Sequence, residues 1–169
     1  MSPKVVHLPH QRLPRPEAAL DRLLERSLLA AFGSQAWLRH SHTDKTYETG
    51  RAFNKGEPDY VGVIHGIFVA IENKVYPNRP DDDQLNYLRR LARHTGLAFL
   101  LVQDKKGDCF LIQVDENYEA FSWRESEKAC WLRLPKVEQG GVTILDLRVL
   151  FGLVVTRITH LYQSTKRNS

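Results

Sequence analysis

The sequence predicts a single α/β domain in which a central mixed sheet is flanked by helices. Three observations carry this. Two segments repeat apolar residues at three- and four-residue spacing, the period of a helix with one buried face. Short runs rich in β-branched and aromatic residues lie between and after them, bounded by turn residues. Two of these runs, in 59–74, are apolar on both faces, which suits central strands covered on each side rather than a hairpin open to water.

The chain of 169 residues is one domain's length, and 42% hydrophobic with 26% charged residues is ordinary globular usage. Residues 1–16 hold four of the eight prolines and read as an irregular arm. From Glu17 to Phe32, Leu20, Leu23, Leu24, Leu28 and Ala31 mark an amphipathic helix that stops at Gly33. Residues 37–43 read as a strand, and the polar, basic stretch 44–56 as a loop. Two strands follow, separated by the tight turn His65-Gly66. Asp81 to Gln84 has the form of a capping box, opening a helix that runs through Leu85, Leu88, Leu91 and Ala92 toward Gly96. Strands over 97–103 and 109–114 complete the order helix, three strands, helix, two strands. Residues 17–116 form the expected core. Residues 117–169 form a C-terminal extension expected to be helical, mainly over 145–162, and to pack on that core.

Composition excludes several classes. The most apolar stretch, 143–155, contains Asp146 and Arg148, and falls short of the ~18–20 uninterrupted apolar residues a membrane span needs. Cys109 and Cys130 have neither zinc-site spacing nor the number for a disulfide framework, so a reduced, cytoplasmic setting fits. The formal charge of +4 permits a polyanionic partner without identifying one.

The chemistry concentrates at the mouth of the hairpin. With a two-residue turn at His65-Gly66, antiparallel pairing sets Ile64 against Ile67 and, continued outward, Asp59 against Glu72. Directly opposed side chains share a face with Cβ atoms ~4.5–5.5 Å apart, so two carboxylates converge there and Lys74 follows on the same face. Opposed like charges destabilise a sheet, and a divalent cation explains all three residues. Hard cations such as Mg²⁺ take oxygen ligands, here Asp59, Glu72 and the backbone carbonyl of Asn73. Lys74 then faces the attacking water, an arrangement suited to phosphodiester hydrolysis.

Pro58-Asp59 followed by Glu72-Asn73-Lys74 resembles the signature of the PD-(D/E)xK nuclease superfamily. The wider phrase GEPDYVGVIHGIFVAIENK, the helix before it and the Gln84 helix after it look most like the VRR-NUC branch, itself similar to archaeal-type Holliday-junction resolvases. The likeness covers residues 17–114. It implies a restriction-endonuclease-like core of order αβββαβ and an endonuclease using Mg²⁺ or Mn²⁺ on branched or structured DNA. The alternatives are a restriction- or repair-type nuclease acting on duplex or ends, and a non-cleaving DNA-binding module. By the resemblance Asp59 and Glu72 are metal ligands, Lys74 is the catalytic lysine, and Gln84 matches the glutamine that follows the motif. It also implies an acid from the first helix. Chain topology places the start of that helix at the active-site end, ranking Glu17 first and Glu25 second, with Asp21 an atypical side chain for the role. Gln84 could equally serve only as the capping-box residue.

Arg39, His42, Lys45, Arg51 and Lys55 lie in or beside the basic loop and are candidates for gripping the DNA backbone, with Arg79 a further one. Arg89, Arg90 and Arg93 read as a solvated helix face, and Trp123 and Trp131 as packing residues. Paired incision by a resolvase-like enzyme needs two active sites, which makes a homodimer an expected assembly.

Overall fold

The computed structural model describes residues 17–33, 36–40, 57–94 and 96–167. Helix α1 (Ala18–Phe32) leads into β1 (Ala36–His40), β2 (Tyr60–Ile64) and β3 (Ile67–Val75). Helix α2 (Asp82–Arg93), β4 (Leu97–Gln103) and β5 (Cys109–Val114) follow. The remainder comprises α3 (Glu125–Lys128), β6 (Leu132–Leu134), β7 (Lys136–Gln139), β8 (Val142–Leu145) and α4 (Arg148–Arg167).

Strands β1 to β6 form one sheet in chain order, with β7 and β8 a separate two-stranded ribbon. Neighbours in the large sheet are antiparallel except β3 and β4, which are parallel. A parallel pair needs a crossover, and α2 supplies it. The fold is therefore a mixed α/β sheet flanked by helices, beginning with the expected order αβββαβ.

Residues alternate between two cores. Leu20, Leu24, Leu28 and Phe32 of α1 pack on Val69, Ile71, Phe99 and Leu101, and Leu147, Leu150 and Val154 extend this layer. On the opposite face Leu85 and Leu88 of α2 pack on Ala70, Ala98, Leu100 and Val102, beside Phe121 and the half-buried Trp123 and Trp131. Strand β4 is buried from Leu97 to Val102, which explains its unbroken apolar run. The two tryptophans and Phe121 stack and tilt on one another within 4.9–5.8 Å, in keeping with their packing role.

The β2–β3 turn has φ of 47° at His65 and 80° at Gly66, the left-handed pair a two-residue type I′ turn requires. The pairing of Ile64 with Ile67 and of Tyr60 with Ile71 is the expected register, and it brings Asp59 opposite Glu72.

Some expectations change. Ala31 is exposed rather than on the buried face of α1. The helix expected over 145–162 begins at Arg148, because the β-branched run Val142 to Ile144 forms β8. Asp146 ends that strand and accepts the Arg148 N–H at 3.1 Å, so a carboxylate sits where α4 begins. The chain beyond residue 116 is thus only partly helical, and β6 continues the central sheet beside β5. The α1 layer is tied to β8 by Ser27, whose buried hydroxyl accepts the Leu145 N–H at 2.7 Å. Arg90 and Arg93 of α2 are exposed, as expected of a solvated face, while Arg89 departs from that reading. Arg89 is half-buried and donates to the carbonyls of Tyr118 and Glu119, and Arg93 meets Glu116 at 3.3 Å, so they clip α2 to the segment after β5. No described helix is long and apolar enough to cross a membrane.

Candidate active site

The site forms where β2 begins and β3 nears its end. In a strand, alternate side chains take opposite faces. Glu72 and Lys74 therefore share the α2 face, while Ile71 and Asn73 face α1. Asp59 and Glu72 are joined by reciprocal contacts rather than set apart. The Asp59 N–H donates to Glu72 Oε2 at 3.0 Å, and the Asn73 N–H donates to Asp59 Oδ2 at 2.9 Å. Lys74 forms an ion pair with Glu72 Oε1. All three side chains are withdrawn from solvent: Glu72 is 0% exposed, Asp59 7% and the Lys74 side chain 13%.

Gln84 makes both the capping-box contacts and a contact to Glu72. Its backbone N–H donates to the Asp81 side chain at 2.8 Å, and its Oε1 accepts the Asp81 N–H at 3.0 Å, completing the capping box. The same amide then has its nitrogen left to donate to Glu72 Oε1 at 2.6 Å. The cap that starts α2 thus also fixes the orientation of Glu72.

Burial, followed by the charge of Asp59, pushes the Glu72 carboxyl up to about 8; Lys74 and the Asp59 N–H act in the opposite direction without overcoming them. On the α1 face, burial holds the Tyr60 hydroxyl well above its ordinary range, with Asp21 and Glu25 adding to the effect. Tyr60 is accordingly a neutral donor, and it bonds Glu25 at 3.0 Å.

The three acids of α1 have separate partners. Glu17 accepts from Asn78 Nδ2 at 2.7 Å, which places the start of α1 beside the segment following β3. Glu25 accepts from Tyr60. Asp21, ranked last by side-chain type, is the acid that reaches the motif, accepting from Asn73 Nδ2 at 2.8 Å. It is buried, as is Asn73. The signal for this lies in the helix wheel. At ~100° per residue, Asp21 falls between Leu28 and Phe32, inside the apolar arc.

Arg79 is exposed in the segment after β3, and that segment is anchored where Trp123 Nε1 donates to the Asn78 carbonyl at 3.0 Å. His42, Lys45, Arg51 and Lys55 lie outside the described residues, as does the side chain of Arg39.

The donor set fits a hard divalent cation. Two adjacent carboxylates supply oxygens of the preferred kind, and burial first and the Asp59 charge second disfavour ionised Glu72, an effect that a cation would offset. Among the described residues no group of three or more His, Cys, Asp or Glu side chains is arranged to hold a metal ion. An ion here would therefore draw the rest of its shell from water, backbone carbonyl and substrate phosphate, the usual mode for Mg²⁺.

No family model matches this chain, and no curated protein matches it. Among solved structures it is similar to Hjc, a Holliday junction resolvase from Archaeoglobus fulgidus, at 20% identity and a TM-score of 0.43, over 67% of this chain and 94% of that one. At that level of likeness the chemistry of the site rests on this chain's own residues.

Proposed function

We propose that this protein is a metal-dependent DNA endonuclease that hydrolyses phosphodiester bonds, with branched or structured DNA as its substrate. The observation that carries the proposal is the withdrawn Asp59–Glu72 pair with Lys74 and Gln84 both directed at Glu72. A structural ion pair has no need of a second buried carboxylate against the first. Such an arrangement costs stability, and it is the kind of cost that functional sites carry.

Asp59 and Glu72, with the Asn73 carbonyl, would hold Mg²⁺ or Mn²⁺. The bound ion would supply charge stabilisation at the scissile phosphate and lower the pKa of a water. Glu72 must be ionised to serve, and Gln84 keeps its carboxylate aimed while Lys74 compensates its charge. With a cation held by Asp59 and Glu72, the Lys74 ammonium would be available to orient the attacking water or to neutralise charge developing on the phosphate. Arg79, together with Arg39, His42, Lys45, Arg51 and Lys55 of the basic segment, would contact the DNA backbone. The first-helix acid would be Glu17 at the helix start or, second, Glu25, with Asp21 reaching the motif through Asn73.

Branched DNA is favoured on the motif's resemblance to VRR-NUC and resolvase domains. The test is a cleavage panel of duplex, flap, splayed-arm and four-way-junction DNA with Mg²⁺, Mn²⁺ or EDTA. Metal-dependent cuts concentrated on the branched substrates support the reading. Cutting confined to linear duplex or its ends removes the branched-DNA assignment, and no cutting of any substrate removes the nuclease.

A further inference from the structure

Strand β3 presents Glu72 and Lys74 on its α2 face, and the next position on that face is Tyr76. The Tyr76 N–H donates to the Gln103 carbonyl at 2.9 Å, so pairing with β4 runs on past Val75 and carries the alternation with it. Its ring meets Trp123, a residue of the α2-side core, with centroids 5.5 Å apart and planes at 72°. Both observations put Tyr76 on the side of Glu72 and Lys74. Unlike them it is open, 45% exposed beside a withdrawn carboxylate pair, and it belongs to neither core.

The setting of the ring is fixed in advance. Trp123 packs edge to face on Phe121 and Trp131, and its indole N–H holds the Asn78 carbonyl at 3.0 Å. Asn78 in turn donates its backbone N–H to the Val75 carbonyl at 2.9 Å and its side-chain amide to Glu17 at 2.7 Å. In a T-shaped pair the edge of one ring meets one face of the other. Whichever way this pair is turned, Trp123 leaves at least one face of Tyr76 uncovered.

We propose that Tyr76 is a base-stacking residue, whose open face takes an unpaired nucleobase of the strand to be cut, about two nucleotides from the phosphate that Lys74 addresses. This deepens the nuclease reading and rests on it. Every base has a π-face, so an aromatic ring receives any of the four. Two residues of strand span ~6.5 Å, the length of about two stacked nucleotides at ~3.4 Å each. In intact duplex both faces of a base are covered by its neighbours, so the ring can act only where stacking is broken, as at a branch, a flap or an end. Charge offers no equal explanation for this surface. Arg79 and Arg124 are exposed next to Asn78 and Trp123 in the chain, but exposed Asp81 and Asp82 follow directly, so the stretch is not a continuous phosphate track.

A splayed-arm DNA with 2-aminopurine beside the branch, placed in each single-stranded arm in turn, tests this; Ca²⁺ replaces Mg²⁺ so that binding to the full chain is read without cutting. Wild type should quench the 2-aminopurine as the base stacks. Tyr76→Ala should lose the quench and bind about 5- to 100-fold more weakly, the scale of one base–aromatic stack. Tyr76→Phe should keep both and Tyr76→Leu neither, because the ring acts and not its apolar character. An abasic site moved one nucleotide at a time through the arm should, at one position, bring wild type down to the affinity of Tyr76→Ala while costing the variant nothing further. That cancellation separates stacking from a fold defect, which would weaken binding at every position alike. Equal affinity and quenching by wild type and Tyr76→Ala, a Tyr76→Leu that matches wild type, or no position of cancellation overturns the proposal, as does a wild type that does not bind this DNA. Cleavage is scored separately in Mg²⁺. Tyr76-dependent quenching without any cutting removes the nuclease and leaves the stack, whereas cutting and binding indifferent to Tyr76→Ala remove the stack and leave the nuclease.

Discussion

Glu72 should make the stability of the metal-free protein fall as pH rises, and a divalent cation should reverse that fall. The sign follows from proton uptake. With its carboxyl raised from an ordinary 4.5 to about 8, the folded chain keeps a proton through that window while the unfolded chain has lost it. A state that binds more protons is favoured at low pH, so this group's stabilisation is complete below pH 4.5 and is lost as pH rises through 8. The window is about 3.5 pH wide, which at ~1.4 kcal/mol per pH unit sets a ceiling of ~5 kcal/mol, with ~3 kcal/mol lost by pH 7. That is a large part of the ~5–15 kcal/mol of a typical domain. Urea unfolding followed by circular dichroism at pH 5.5, 7 and 8.5, in EDTA and in Mg²⁺, measures it. In EDTA the wild type should lose stability over this series, and Glu72→Gln should show a flatter profile. Mg²⁺ should stabilise the wild type more at pH 8.5 than at pH 5.5, because it binds the ionised pair, and should leave Glu72→Gln nearly unchanged. Wild-type stability that rises from pH 5.5 to 8.5 in EDTA, or an equal Mg²⁺ effect in both proteins, would refute the burial argument for this carboxylate.

Other perturbations separate the parts of the structure. Gln84→Ala removes both a capping-box partner and a donor to Glu72, and should cost ~1 kcal/mol in urea unfolding as well as slowing cleavage; a loss of stability with full activity would assign Gln84 to the helix alone. Asp21→Ala should cost ~1–3 kcal/mol by leaving the buried Asn73 amide without its partner, and more than Glu25→Ala; equal costs would contradict the placement of Asp21. Ser27→Ala should cost a similar ~1–3 kcal/mol, since the buried Leu145 N–H loses its acceptor, with hydrogen exchange at Leu145 as the local readout.

The hairpin register was legible in the sequence because one local feature decides it. His65-Gly66 can take the two positive φ angles of a tight turn, and a fixed turn leaves a single pairing for every residue outward to Asp59 and Glu72. Gln84 was legible in part, since the capping box is a local pattern whereas its reach to Glu72 depends on how α2 crosses the sheet. The contact of Asp21 with Asn73 follows from the wheel position that buries it, a feature that side-chain type alone does not carry. Beyond residue 116 the pattern weakens. Strand β7 is exposed at every residue and β6 has three residues, so neither shows the alternation that marks a half-buried strand. Arg89 left no sequence signal, because its acceptors are backbone carbonyls of Tyr118 and Glu119, which any residue type presents.

Single-turnover cleavage of a four-way DNA junction with Mg²⁺, comparing wild type with Asp59→Ala, Glu72→Ala and Lys74→Ala, tests the central claim most directly. Each variant should lose at least ~100-fold in rate, the scale of removing one catalytic group, while retaining the wild-type circular dichroism spectrum. Cleavage at the wild-type rate by folded Lys74→Ala or Asp59→Ala protein would contradict the assignment of this site.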